Sequence, residues 1–344
     1  MFAYILMYAI AAIAIWNKKN KVAGLTILFT LFIFSFLRGE SVGTDTTNAM
    51  QISTILTRSE VDFDITNFST YEISTNLVYR IIKSGRSPRL IIEFYSIVTF
   101  LFLYLACRRF KINLSILMFG ILISGFYIYS YNIARQYTAI SVCLYALSFI
   151  FDKSWKKSLL FFPWMIFAIS IHTSSLFFLP LYLVRYLNPN KITISAIIIG
   201  SLIFGTLGDD YIRLFFMEIL ANDELLSYSN AYSDMITDYS SHSFMGMLFK
   251  YLTIALYIYA IIILYKSSSK YTMLLTIAVG ILCFTYTLPE VLYRTVHGFD
   301  VIAAMLLCYY FTISKEKYTF WAYAILFTYK FFVHGINDPY VFAI

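Results

Sequence analysis

The chain has 344 residues, 60% of them hydrophobic and 13% charged, with a formal net charge of +7 and a mean hydropathy of +0.73. Soluble domains carry about 25% charged residues, so this composition excludes an ordinary soluble fold and places the chain among polytopic membrane proteins. A net positive charge would suit nucleic acid, but the distribution set out below assigns the charge to membrane topology, and no nucleic-acid partner is expected.

The opening MFAYILMYAIAAIAIWNKKNK places its cations after the apolar run, the reverse of a secretory signal, and reads as a retained first span with the N-terminus outside. Apolar runs lie at about 2–16, 22–37, 89–106, 112–130, 136–151, 158–171, 173–187, 192–207, 244–264, 271–288, 298–313 and 318–334. Several approach the short limit of the ~20 residues that cross a bilayer of about 30 Å, which suits tilted pairs or re-entrant pieces. The expected fold is all-α, with about twelve transmembrane helices (ten to fourteen) in a single transmembrane domain over residues 1–344.

The connecting segments alternate in charge. NKKNK, CRRFK, DKSWKK, RYLNPNK, YKSSSK and SKEK together hold 15 of the 26 Lys and Arg, and only Asp152 and Glu316 of the 19 acids. Short basic loops lie in the cytoplasm, so both termini and the two long loops, about 38–88 and 208–243, are expected on the extracytoplasmic side. Cys107, Cys143, Cys283 and Cys308 form no CxxC pair and read as buried thiols.

The polar interruptions fall on that outer side. In RGESVGTD, Arg38 is either a snorkelling interfacial anchor or a ligand for an anion. Asp45 is a helix N-cap or a proton acceptor, and Gly43 serves the turn or a close backbone approach. The stretch STYEISTNLVYRIIKSGR opens with the capping box Ser69-x-x-Glu72, and Gly85 is placed to end a helix. Arg80, Lys83 and Arg86 near that end either complement the helix dipole or face anionic headgroups from an interfacial helix. In NIARQYTA, Arg135 and Gln136 stand at the mouth of an apolar span, where an arginine is costly unless paired and function is the default reading. His172, opening HTSSLFFLPLYLV, is a helix cap or a donor or base that titrates near neutrality. Arg294 and His297 share a helical face, with Glu290 four residues before Arg294 as a candidate salt-bridge partner. His334 and Asp338 lie near the end of the chain.

No Walker A, GxGxxG, HExxH or GxSxG pattern occurs, so nucleotide-driven pumping, dinucleotide chemistry and zinc proteolysis have no support. Asp62 and Asp64 match the short DxD of metal-dependent sugar transfer, but no soluble nucleotide-binding domain is there to hold it. What arginines on the outer face suit is a lipid-linked diphosphate. Guanidinium is permanently charged and its planar fork binds phosphate oxygens bidentately. Such chemistry needs no cofactor and no metal.

The landmarks LRGESVGTDT, YEISTNLVYRIIK, ARQYTAISVCLYALSFIF, AISIHTSSLFFLPLYL, the arginine of VLYR and the terminal DPY resemble, in content and order, the EpsG-type, Wzy-like polysaccharide polymerases. The TTNAMQI that follows GTD departs from the aromatic spacing common in that family. The resemblance implies a metal-independent glycosyltransferase, GT-C-like in fold by analogy, in the bacterial inner membrane with its active face in the periplasm. It would transfer a growing glycan from undecaprenyl diphosphate onto another lipid-linked repeat unit. Its partners would be undecaprenyl-diphosphate-linked oligosaccharide, membrane lipids and a chain-length regulator. Arg38, Asp45, Arg135, Gln136, His172 and Arg294 match the family's motifs. In this reading His172 or Asp45 acts as base, while Arg38, Gly43, Arg135, Gln136, Arg294 and His297 bind substrate. The alternatives are a polyprenyl-phosphate-dependent glycosyltransferase, an O-antigen ligase with His242 in its late loop, or a non-enzymatic flippase for the lipid-linked glycan.

Overall fold

Apolar composition this dense must satisfy its backbone polar groups within each segment, and helices are how it does so. In the computed structural model the described residues are 2–58, 73–207, 244–267, 269–285, 290–314 and 318–337, and they form fifteen α-helices and one 3-10 helix with no sheet. The capping box at Ser69, the DFD triplet, the loop 208–243 with His242, and Asp338 lie outside the described residues.

Helices α1 (Phe2–Trp16) and α2 (Lys21–Phe36) take up the first two apolar runs. Asn20 caps α2, its Oδ1 accepting the Val22 N–H at 2.9 Å. The first outer loop contributes α3 (Thr44–Arg58) and α4 (Ile73–Lys83), and Gly85, at φ +98°, follows the end of α4 as expected. Next come α5 (Leu90–Phe110), α6 (Leu114–Ile123), α7 (Phe126–Asn132) and α8 (Ala134–Leu147). The run expected as one span over 112–130 is broken. α6 and α7 meet at 57°, with Gly125 in the left-handed region at the break. After α9 (Trp155–Ser158) and α10 (Phe161–Ile171), the run expected at 173–187 winds as a 3-10 helix, Thr173–Tyr186, with Pro180 inside it. The remainder comprises α11 (Lys191–Leu207), α12 (Phe244–Lys266), α13 (Thr272–Phe284), α14 (Glu290–Ile313) and α15 (Tyr318–Asn337).

Every expected apolar run therefore contains helix, but most helices are short. By length and composition α5 and the Val296–Ile313 part of α14 are long and apolar enough to cross a membrane, and α6 with α7 makes a third if the bent pair is one span.

The chain divides into two compact units, Met1–Arg185 with Cys308–Ile344, and Tyr186–Leu307. In the first, α5 packs along α8, joined by a Thr99–Thr138 hydroxyl pair at 3.0 Å, and α8 packs along α10, where Trp164 meets Tyr145 and Phe102, each at 5.2 Å between ring centroids. α10 and the 3-10 helix form a hairpin whose open end is pinned where Ser158 meets Tyr182 at 3.0 Å and also Arg185. Asn113 ties the start of α6 to Lys18, and Arg109 pairs with Asp152 at 2.5 Å. The basic segments of this unit thus gather at one end of its helices. In the second unit α11 and α13 approach closely, since a Cβ on Gly205 would fall 2.3 Å from the Cys283 carbonyl oxygen. Tyr257 of α12 donates to Asp300 of α14 at 3.0 Å. All four cysteines are buried thiols.

Candidate functional site

The end of the first unit opposite the basic segments carries the LRGESVGTDT loop. A chain leaving α2 must turn there, and its backbone donors and acceptors need partners. They come from the end of α7. The Thr44 N–H and hydroxyl donate to Asn132 Oδ1 and O at 3.2 and 3.1 Å, and the Thr46 hydroxyl donates to the Tyr131 carbonyl at 3.3 Å. Gly43 makes this seam possible. Its φ is +89°, and a Cβ there would stand 2.3 Å from the Tyr131 carbonyl oxygen. The close approach expected of Gly43 is therefore to the chain's own backbone.

Arg38 is only 1% exposed. Its Nε donates to Thr46 Oγ1 at 3.0 Å, and its Nη1 donates to the Ser35 carbonyl at 2.9 Å, Ser35 Oγ at 3.0 Å and Ser96 Oγ at 3.2 Å. The guanidinium also lies over the Tyr131 ring, 4.8 Å from its centroid. One side chain thus joins α2, α3, α5 and α7. A snorkelling surface anchor would not be buried in this way. Beside it, Arg89 donates to the Phe36 carbonyl at 2.9 Å and the Arg38 carbonyl at 3.4 Å, where α2 has run out of internal donors.

The seam between residues 43–46 and 131–132 joins the first turn of α3, with Asp45, to the end of α7 three residues before Arg135. Asp45 sits in the first turn of α3, where a carboxylate is favoured by the helix dipole. Arg135 and the buried Gln136 lie in the first turn of α8, which restarts after the non-helical Ile133. Between the two helices stands Tyr95 of α5. It packs in one apolar cluster with Ala49, one turn beyond Asp45, and with Ala134, adjacent to Arg135. Its hydroxyl meets Thr75 Oγ1 of α4 at 3.2 Å. Sequence reasoning missed Tyr95. One tyrosine among 30, inside an apolar run, carries no signal until its neighbours from other helices are known.

His172 is the tip of the α10 hairpin, between that helix and the 3-10 helix, in extended conformation. Its Nδ1 receives the Ser174 backbone N–H at 3.2 Å and lies 2.8 Å from the Ser174 hydroxyl. A backbone N–H can only donate, so Nδ1 accepts and the neutral ring carries its proton on Nε2. The helix-cap reading of His172 therefore holds at Nδ1, and the other nitrogen is a donor. Trp164 faces Tyr145, and α10 climbs as α8 descends. Eight residues along each, at about 1.5 Å per residue, level His172 with Tyr137, two positions from Arg135. Ser170 of α10 meets Ser74 of α4 at 2.6 Å, closing the ring of helices around the site.

Arg38, Gly43, Asp45, Arg135, Gln136 and His172 thus share one end of the first unit. Arg294 and His297 belong to α14 within the second unit, where His297 is buried. Among the described residues no three His, Cys, Asp or Glu side chains converge as metal ligands. The groups present, guanidinium, carboxylate, imidazole and hydroxyls, suit an anionic substrate and a proton transfer.

A family model described as the EpsG family matches residues 21–340. The chain belongs to the EpsG family. No curated protein and no solved structure matches it. The matched span includes the whole site above, and membership in the EpsG family, with the apolar helices, marks a membrane protein of polysaccharide-polymerase type.

Proposed function

We propose that this EpsG-family protein is a glycan polymerase that transfers a growing chain from undecaprenyl diphosphate to the sugar end of a second lipid-linked repeat unit. The reaction takes place at the periplasmic face of the bacterial inner membrane, within a multi-span, GT-C-like helical domain whose termini face outward. The observation that supports this reading is the Thr44–Asn132 seam, which joins the first turn of α3, with Asp45, to the end of α7 three residues before Arg135.

In the reaction the acceptor hydroxyl oxygen bonds to the anomeric carbon of the donor glycan. The bond from that carbon to the diphosphate oxygen breaks, and undecaprenyl diphosphate leaves with the electron pair. Asp45 takes the proton of the attacking hydroxyl, because the Nδ1 of His172 is already occupied as an acceptor. The Nε2–H of His172 donates to a diphosphate or sugar oxygen. Arg135 holds the diphosphate, whose charge grows as the bond breaks, so its guanidinium stabilises the transition state more than the ground state. Gln136, the next residue of α8, binds substrate. Arg294 and His297, on α14 of the second unit, are proposed as substrate-binding residues on the sequence alone. Arg38 supports the site from beneath by fixing the loop that carries Asp45. A chain-length regulator acts as a partner of the assembled polymerase.

The Arg135→Ala variant tests this reading. Expressed in a strain lacking the native gene, it should insert at normal levels yet yield lipid cores bearing a single repeat unit, with long chains lost. Normal chain-length ladders would sink the proposal. Complete absence of repeat units on the core would point to a ligase, and their accumulation on the cytoplasmic side to a flippase.

A further inference from the structure

Helix α4 carries a surface that the reaction does not use. Successive residues turn by about 100° around a helix, which sorts its side chains into arcs. Thr75, Val78, Tyr79 and Ile82 form the buried arc and pack on the cluster that holds Tyr95 and Ala134. On the opposite half, Ile73, Leu77 and Ile81 are 77%, 58% and 41% exposed, one turn apart from each other. Arg80 and Lys83 occupy the exposed arc beside this apolar stripe, and Arg86 follows, also exposed.

A helix of 11 residues reaches only about 16 Å, half of what a span requires. Its end is nevertheless fixed at the level where a span begins, because α5 starts at Leu90, seven residues after Lys83 closes α4, and is long and apolar enough to cross. An apolar stripe at that depth, bordered by cations on one side, matches a layer with acyl chains below and anionic headgroups beside them.

We propose that α4 lies in the plane of the membrane interface, its Ile73–Leu77–Ile81 stripe among the acyl chains and Arg80, Lys83 and Arg86 against anionic lipid headgroups. The occupant is bulk lipid. The inference depends on the membrane assignment and is independent of the reaction. It has a consequence for the site: the helix that supplies Thr75 to Tyr95 rests on the lipid surface, so headgroup composition bears on the packing around Tyr95.

The experiment uses the full-length protein in proteoliposomes, with an environment-sensitive fluorophore on a Leu77→Cys or a Ser84→Cys variant, and unsubstituted protein labelled in parallel as the background for the four buried native thiols. A lipid carrying its quencher near the headgroup should quench the label at position 77 at least about twofold more than at 84, and aqueous iodide should show the opposite order. The contrast should grow when phosphatidylglycerol is included, and a paired Arg80→Glu, Lys83→Glu change should remove that growth, since each cation near an anionic surface contributes roughly fivefold. Equal iodide quenching at both positions would overturn the proposal. So would lipid quenching at 77 that arises only after a polyprenyl diphosphate lipid is added, which would make the stripe a substrate surface. Indifference to phosphatidylglycerol would overturn the headgroup contact.

Discussion

The two ends of the first unit both hold an arginine in a web of contacts, and the webs differ in kind. At one end Arg109 pairs with Asp152 at 2.5 Å, touches Ser148 and lies over the Phe149 ring, with about a third of each charged side chain open. At the other, Arg38 has 1% exposure, and its partners are hydroxyls, a carbonyl and a tyrosine ring. The first contact is an exposed ion pair, whose attraction is offset by solvent and by side-chain entropy. The second is a buried cation that four helices surround, so its removal leaves acceptors on α2, α3 and α5 short of a donor. Charge type alone does not tell a surface clip from a keystone; burial and the number of elements served do.

Four substitutions sharpen that contrast. Arg38→Lys keeps the charge but loses the fork that reaches Thr46, Ser35 and Ser96 together. It should cost about 3 kcal/mol or more and strip the solubilised protein of a cooperative thermal transition; an unchanged midpoint would break the comparison. Gly43→Ala forces a side chain into the left-handed region and into the Tyr131 carbonyl. A loss of about 1–3 kcal/mol is expected, read as a lower unfolding midpoint, with polymerisation falling because the loop bearing Asp45 shifts. Tyr95→Phe removes only a hydroxyl, so stability should fall by about 1 kcal/mol. Polymerisation in vitro should fall further than that, with an altered pH profile, if the hydroxyl orders Asp45 and Arg135; a stability loss with an unaltered pH profile would make Tyr95 a packing residue only. Asp152→Asn, at the other end, should change stability by no more than about 1 kcal/mol and leave glycan chain length untouched.

Part of this site was legible in the sequence. Polar residues in an apolar chain stand out, and the alternation of basic loops is enough to assign Arg38, Asp45, Arg135 and His172 to one side. The structure places those four at one end of the first unit, away from Arg109 and Lys18. Other parts were not legible. Arg38 had the sequence of an interfacial anchor and is instead a buried brace, because burial depends on Ser96 and Tyr131, which lie 58 and 93 residues on. Residues 112–130 read as one span, since apolar composition reports no bend, and the break at Gly125 depends on how α7 docks.

The sequence by itself determined the helical class, the membrane setting, the segregation of charge, and the turn role of Gly43 and Gly85, two of the three described glycines in the left-handed region. These are local properties, written in composition, period and residue type. Tertiary structure alone decided which nitrogen of His172 is engaged, that Tyr95 packs in one cluster with Ala49 of α3 and Ala134 of α8, and that α4 turns an apolar stripe outward. Each depends on groups brought together from separate helices or on the path the backbone takes, and no one-dimensional pattern records those distances.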